Sequence, residues 1–146
     1  MIREAIGSLV NEGRLDEAAA IGAAEEIFSG EATPAQIASF LTALRMRGER
    51  VEHIRAFAQV MRDKAAPVRL PGGEALDIVG TGGDGAGTFN ISTASALIAA
   101  SAGVAVAKHG NRGASSPCGS ADALEALGVR IDLTPDQAGQ CLAETG

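Results

Sequence analysis

The sequence contains 146 residues, of which 46% are apolar and 21% are charged. This composition is typical of a globular protein and excludes a disordered chain, a collagen and a disulfide-stapled miniprotein. The formal charge of -6 leaves no basic surplus for binding nucleic acid. The N-terminus has no basic segment followed by a continuous apolar run, so no secretory signal is indicated.

The longest apolar stretch, near residues 94–107, is interrupted by Ser and Gly and is too short to cross a bilayer. The two cysteines, Cys118 and Cys141, are far apart and lack a CxxC partner, which favours free thiols in a reducing compartment. We therefore expect a cytoplasmic protein that binds neither membranes nor nucleic acid.

Residues 1–66 are predicted to be helical, because apolar residues recur there at helical spacing. Thr33-Pro34-Ala35-Gln36 has the pattern of a capping box, and Gly30 and Gly48 are suited to end helices. We predict a small helical bundle whose Ala-rich stripes pack closely, either internally or against a second subunit. The predicted stripes are Ala20, Ile21, Ala24, Ile27 and Phe28; Ile37, Phe40, Leu41 and Leu44; and Ile54, Phe57, Ala58 and Met61.

Residues 67–73 contain two Pro and two Gly and are the predicted linker, so the chain divides into 1–71 and 72–146. The second part alternates predicted strands with helices, which indicates a parallel sheet with crossover helices. The fold class is therefore α plus α/β, with an α/β domain that we expect to be truncated where a further strand should follow. The predicted strands are 75–79, 104–108 and 129–132; the predicted helices are 92–102, 121–127 and one that opens at the second capping box, 134–137.

Five glycines lie within residues 80–87, directly after the first predicted strand. Asn90-Ile91-Ser92-Thr93 follows at a helix N-terminus, where free N–H groups and hydroxyls favour an anion such as phosphate. The glycines fit G-x-G-x-x-G, but the second strand ends in Lys108 instead of the acidic residue expected of a dinucleotide site. The sequence has no GxxxxGK[ST] motif, which excludes a P-loop NTPase.

Residues 108–116 read KHGNRGASS and hold two of the three Lys and Arg residues of 72–146. Lys108 and Arg112 are suited to phosphate oxygens. His109 is a proton carrier, an oriented neutral donor or a packing residue. Because the two loops follow adjacent strands, we expect them to converge on one crevice. Hydroxyls are added by Ser115, Ser116 and Ser120.

The segments DIVGTGGDGAGTFNIST and KHGNRGASSPCGSADALEALG resemble the anthranilate phosphoribosyltransferase family, and the resemblance covers essentially the whole chain. Asn111 favours this family over the related pyrimidine nucleoside phosphorylases. The resemblance implies a Mg²⁺-dependent reaction of tryptophan biosynthesis. The amine of anthranilate attacks C1 of phosphoribosyl pyrophosphate (PRPP), and pyrophosphate leaves. It also implies a homodimer formed through the helical domain.

By position in the motifs, the resemblance implies a PRPP site formed by both loops and no covalent nucleophile. Lys108, His109 and Asn111 would position the transition state. Ser92 would bind Mg²⁺, and Gly80 and Asn111 would also contact anthranilate. The implied PRPP-binding residues are Gly80, Gly83, Asp84, Thr88, Asn90, Ile91, Ser92, Thr93, Lys108, His109, Gly110, Asn111, Arg112, Gly113, Ala114, Ser115, Ser116 and Ser120.

Members of the family continue beyond this length, where an acidic pair binds Mg²⁺ and an arginine orients anthranilate. We therefore expect the chain to correspond to the N-terminal part of such an enzyme. Other hypotheses are a non-catalytic fragment that binds PRPP or dimerises, and a nucleoside phosphorylase-like or nucleic-acid-binding paralogue.

Overall fold

The computed structural model describes residues 1–70, 72–80, 88–113 and 118–146. The chain divides into two compact units, Met1–Ala65 and Ala66–Gly146, each of which is described by itself. The first unit contains α1 (Ile2–Gly7), α2 (Glu17–Phe28), α3 (Pro34–Arg47) and α4 (Val51–Lys64), with a π-helical turn, Ser8–Glu12, continuing α1. The second unit contains α5 (Ile91–Ser101), α6 (Ser120–Ala126) and α7 (Pro135–Thr145).

Both predicted capping boxes are confirmed. The Thr33 hydroxyl accepts the Gln36 N–H at 3.3 Å, and the Gln36 side chain accepts the Thr33 N–H at 2.8 Å. Thr134 and Gln137 repeat this exchange at 3.3 and 3.0 Å. Each box gives partners to N–H groups that a helix N-terminus otherwise leaves unpaired, which explains why α3 and α7 begin where the sequence predicts.

The core of the first unit forms around Phe40, whose side chain is fully buried and stacks on Phe57 with ring centroids 5.9 Å apart. Ala20 and Ala23 of α2 are also fully buried. Because these side chains are small, α2 packs closely against α4. The close packing expected of the Ala-rich stripe is therefore found within this unit.

His53 is a buried polar residue that joins the beginning of α4 to the segment before α2. Its Nδ1 accepts the N–H of Arg50 at 3.2 Å, and its Nε2 lies 3.0 Å from the carbonyl oxygen of Leu15. Since Nδ1 accepts a hydrogen bond, the ring hydrogen of the neutral imidazole lies on Nε2 and is donated to Leu15.

The predicted apolar stripe of α4 is wrong in part. Ile54 and Met61 are 63% and 54% exposed, whereas His53, Ala56 and Val60 are buried. The helix is turned so that His53 reaches its two backbone partners, and the face that carries it becomes the core face. In α3, Leu41 is likewise 48% exposed, although it was expected in the stripe with Phe40.

The three predicted strands are not formed as a sheet within the described residues. In those parts of the chain, one parallel bridge, between Leu76 and Val106, joins the first two segments. Its hydrogen bonds run from Leu76 N to Ala105 O at 2.8 Å and from Ala107 N to Leu76 O at 3.0 Å. Strands of a parallel sheet are covered on both faces. Leu76, Val104 and Val129 are instead 42–47% exposed, so the described residues do not supply those covering layers.

The two helices that follow the loops differ from their predicted bounds by one residue at each end, since α5 begins at Ile91 and α6 at Ser120. Among the described residues, no helix has the length and hydrophobicity needed to span a membrane.

Candidate phosphate-binding site

The Leu76–Val106 bridge places the ends of the first two extended segments side by side. Beyond the bridge, the Lys108 ammonium donates to the carbonyl oxygens of Ile78 at 2.7 Å and His109 at 3.2 Å. An ammonium group has three donors, so these two bonds leave one N–H of Lys108 for an anion. The expected proximity of the two loop starts is therefore observed at Ile78 and Lys108.

Asp77 and His109 form the second link between these segments. The Asp77 carboxylate lies 2.8 Å from His109 Nδ1 through Oδ2, and it accepts the His109 backbone N–H at 3.3 Å through Oδ1. Partial burial by itself raises the pKa of Asp77. The hydrogen bonds from the side chain and backbone of His109, together with the charge of Lys108, lower this pKa overall. The His109 side chain is 71% exposed, which argues against a packing role.

A network of hydrogen bonds folds residues 111–113 onto the beginning of α6. Asn111 N donates to the Ser120 hydroxyl at 3.2 Å, and Asn111 O accepts the N–H of Ala121 at 3.1 Å. One carboxylate oxygen of Asp122 accepts the backbone N–H groups of Gly113 and Gly119, both at 2.8 Å. These backbone hydrogen bonds, with the Arg112 guanidinium, lower the pKa of Asp122.

Gly119 is the point of closest approach in this network. A Cβ atom at this position would overlap backbone atoms of Asn111, Arg112 and Gly113. The backbone of Gly119 is extended (φ −82°, ψ 174°), a conformation open to any residue. The need for glycine at this position is therefore one of space alone.

The N-terminus of α5 is joined to the same network. Asn90 does not cap its own helix with its side chain. Instead, it donates from Nδ2 to the carbonyl oxygen of Gly119 at 3.3 Å. The first-turn N–H groups of α5 are thus left without a cap from Asn90, and the positive end of the helix dipole adds to their preference for an anion.

Two hydroxyls follow on α5 and differ in accessibility. The Ser92 Oγ lies against Gly80, where a Cβ would be 3.7 Å away. The Thr93 side chain is buried, and its hydroxyl has no hydrogen-bond partner among the described residues. Ser92 is therefore the hydroxyl of this turn that lies beside Gly80, whereas the Thr93 hydroxyl is enclosed.

Arg112 is engaged by two acidic side chains of α6. Its guanidinium donates to Glu125 at 2.6 and 2.9 Å and to Asp122 at 3.2 Å. The hydrogen bond and charge of Arg112 lower the pKa of Glu125. Three of the five N–H donors of Arg112 therefore lie on acidic side chains of α6, so Arg112 holds the loop to this helix.

Two of the expected residues are thus joined to the beginning of α6. Asn90 donates to the carbonyl oxygen of Gly119, and Asn111 donates to the hydroxyl of Ser120. Thr88 is exposed and Ile91 is 50% exposed at the start of α5. Five residues expected in the PRPP site lie outside the described residues: Gly83, Asp84, Ala114, Ser115 and Ser116.

Three residues of the network were not predicted from the sequence. Asp77 is an acidic residue inside the apolar segment ALDIV, which is a signal for a functional carboxylate. Gly119 and Asp122 are separated by the three-residue spacing of a capping box. Gly119 has no side chain to take part, so only the half of the box from Asp122 to the Gly119 N–H is formed.

Ser92 is the Mg²⁺ ligand expected from the sequence, and it lies among the described residues. No group of three His, Cys, Asp or Glu side chains comes together in those parts of the chain. Mg²⁺ takes oxygen ligands, keeps several waters, and is often bound by few protein groups together with substrate phosphates. A hydroxyl beside a phosphate-binding turn fits that requirement as one ligand.

Comparison with known proteins identifies both units. A family model described as the helical bundle domain of the glycosyl transferase family matches residues 3–65, and one described as its a/b domain matches residues 72–146. A curated relative from Geobacter sulfurreducens, named anthranilate phosphoribosyltransferase, is 52% identical over the whole chain. One of the same name from Moorella thermoacetica is 55% identical.

A crystal structure of anthranilate phosphoribosyltransferase from Thermus thermophilus matches 96% of this chain with a TM-score of 0.76 and 48% identity. The chain spans 46% and 43% of the two curated relatives and 43% of the crystallised one. The predicted combination of a helical domain and an α/β domain is thereby confirmed.

Proposed function

Because the chain belongs to the glycosyl transferase family through both its helical-bundle domain and its α/β domain, we propose that the protein transfers the phosphoribosyl group of PRPP to anthranilate. The products are N-(5-phosphoribosyl)anthranilate and pyrophosphate. The observation that carries this proposal is that Asn90, which does not cap α5 with its side chain, and Asn111 of the second loop are both hydrogen-bonded to the beginning of α6. The names of the relatives support the choice of anthranilate as acceptor.

In this proposal, the pyrophosphate of PRPP lies at the N-terminus of α5. The N–H groups of Ser92 and Thr93 donate to its oxygens, and Gly80 lets the ligand approach the backbone because it has no side chain. Lys108 adds a positive charge through its remaining N–H. Arg112 acts mainly by holding the second loop to α6, since Glu125 already occupies its fork.

The reaction needs positioning and neutralisation of charge more than it needs a nucleophile on the protein. As the C1–O bond of PRPP breaks, negative charge grows on pyrophosphate and positive charge grows on the ribose ring. Fixed N–H donors stabilise the leaving group without reorganising. In this proposal, Asn111, whose backbone is held by Ser120 and Ala121, contacts the acceptor together with Gly80.

Mg²⁺ belongs to the same proposal, with Ser92 as its ligand from the described residues and pyrophosphate oxygens and water as the others. When bound, the ion would neutralise charge on the leaving pyrophosphate. Residues Gly83, Asp84 and Ala114–Ser116 belong to the proposed PRPP site through the resemblance of their motifs.

We also propose that the helical domain, residues 1–71, forms a homodimer and that the protein is cytoplasmic. Three apolar side chains of the first unit support the dimer: Met46 (81% exposed), Val51 (80%) and Ile54 (63%). A second copy would cover them, which avoids a large exposed apolar patch. Sedimentation velocity should show a dimer, and V51E together with I54E should give a monomer; a monomeric wild type would contradict this.

The activity is tested with the natural protein, PRPP, Mg²⁺ and anthranilate. The fluorescence of anthranilate should fall as pyrophosphate is released in equal amount. Omitting PRPP should abolish both signals. Unchanged fluorescence with all components present would refute the proposed reaction, whereas binding of PRPP without turnover would indicate the non-catalytic alternative.

A further inference from the structure

The neutral imidazole of His109 can be assigned to one tautomer from its partner. Asp77 has no hydrogen to donate when it is ionised, so the 2.8 Å contact requires that His109 Nδ1 carries the hydrogen. The second oxygen of Asp77 holds the backbone N–H of the same residue. Ring and main chain of His109 are thus fixed by one carboxylate, and Nε2 is left with its lone pair.

The other side chains of residues 108–113 are unsuited to accept a proton. Lys108 is an ammonium donor to two carbonyl oxygens, and Arg112 is a donor paired with acidic residues. The Asn111 side-chain oxygen already accepts the N–H of Arg112 at 2.9 Å. His109 Nε2 is therefore the free acceptor of this segment, on a side chain that is 71% exposed.

We propose that Asp77 is a positioning residue that holds His109 in the Nδ1–H tautomer, so that Nε2 accepts the proton that an amine nucleophile loses. The inference rests on the proposed function. The N–C1 bond forms as the C1–O bond breaks, and pyrophosphate leaves with the electron pair. The surplus proton of the nitrogen moves to Nε2, and the Asp77 carboxylate balances the resulting imidazolium until solvent takes the proton.

Asp77→Asn gives a directional test of the positioning role. The His109 backbone N–H needs an acceptor, so the amide oxygen of the new side chain should face it. Its NH₂ group should then face Nδ1. That nitrogen becomes an acceptor, and the hydrogen of the ring moves to Nε2. We expect a reversal of tautomer with the fold retained.

The tautomers can be read by long-range ¹H–¹⁵N correlation of the imidazole rings at a pH where both are neutral. The chain has two histidines, and His53 is an internal reference of the Nε2–H type because Arg50 N–H occupies its Nδ1. Wild-type His109 should show the Nδ1–H pattern, and D77N should show Nε2–H. His109 as Nε2–H in the wild type, or unchanged in D77N, would overturn the positioning role.

Kinetics of the natural protein supply the second measurement. D77N should lower kcat at least about tenfold, because proton transfer by a positioned side chain contributes about 10²–10⁴-fold. The KM for PRPP should stay within about threefold, since Asp77 holds His109 and not the ligand. The matched control is D132N, which removes an exposed carboxylate paired with Arg130 in the same unit and should change neither reading.

An unchanged kcat in D77N would overturn the role of Nε2 as proton acceptor. If the wild type consumed no anthranilate, the proposed function would fail and the proton transfer with it. The imidazole spectra of wild type and D77N would still decide whether Asp77 sets the tautomer.

Discussion

Gly119→Ala adds one methyl group at the point where the second loop contacts the beginning of α6. The new Cβ would overlap backbone atoms of Asn111, Arg112 and Gly113, so the loop must move away as a whole. That movement also stretches the Asp122 bonds to Gly113 and Gly119. Alanine readily adopts the backbone conformation of Gly119. Any effect of the substitution therefore comes from the overlap of the methyl group with the loop and not from backbone strain.

Forcing an extra methyl group into a packed site costs about 1–3 kcal/mol. If the loop must hold its present shape to bind PRPP, this cost appears in the affinity. Since about 1.4 kcal/mol corresponds to a tenfold change, the Kd for PRPP should rise about 5- to 150-fold. Isothermal titration in the presence of Mg²⁺ gives the Kd. Hydrogen exchange of the Gly113 amide, which Asp122 now protects, should accelerate in the variant.

Gly7→Ala is the control, because a Cβ there meets no heavy atom within 4 Å. It should leave the Kd within about threefold of the wild type. Two results together would refute the inference that the 111–113 loop must move to admit the methyl group. In Gly119→Ala, the Gly113 amide would exchange at the wild-type rate, and the Kd for PRPP would be unchanged.

Further variants test single contacts. Thr93→Val should keep or raise the Tm, because it removes a buried hydroxyl that lacks a partner in the described part of the chain, at a gain of up to about 1–3 kcal/mol. Thr134→Ala should lower the Tm, because the helix cap that it removes stabilises the fold by about 1 kcal/mol. The reverse order of Tm values in thermal melts would contradict both assignments. Glu125→Gln should weaken the hold of α6 on Arg112 and therefore weaken PRPP binding in titrations; unchanged or tighter binding would contradict the loop-holding role of Arg112. The lowered pKa of Asp122 means that its stabilisation is complete above the ordinary aspartate pKa and is lost as the pH falls through the lowered value. The Tm of Asp122→Asn should therefore fall less on acidification than that of the wild type, and equal slopes would contradict this.

Local signals in the sequence predicted the starts of α3 and α7 and the bounds of α5 and α6 to within one residue. The pairs Thr33–Gln36 and Thr134–Gln137 are short-range patterns whose hydrogen bonds depend on neighbouring residues alone. These features were predictable because one turn of chain contains all their partners.

Two features that depend on distant partners were not predicted, although the proximity of Ile78 and Lys108 was. The core face of α4 is set by the bond between His53 and Leu15, 38 residues apart, and not by the strength of its apolar stripe. Asp77 meets His109 across 32 residues. The extended segments form one bridge within the described residues because sheet formation depends on layers that cover both faces, which a strand-like composition does not guarantee.

In the proposed function, the N-terminus of α5 and the 108–120 loop together hold PRPP. Amide chemical shifts of the ¹⁵N-labelled chain, recorded during titration with PRPP and Mg²⁺, test this directly. We expect saturable changes in chemical shift that are concentrated in residues 88–93 and 108–122, with residues 1–65 little changed. Shifts confined to the helical unit, or none at millimolar PRPP, would contradict it.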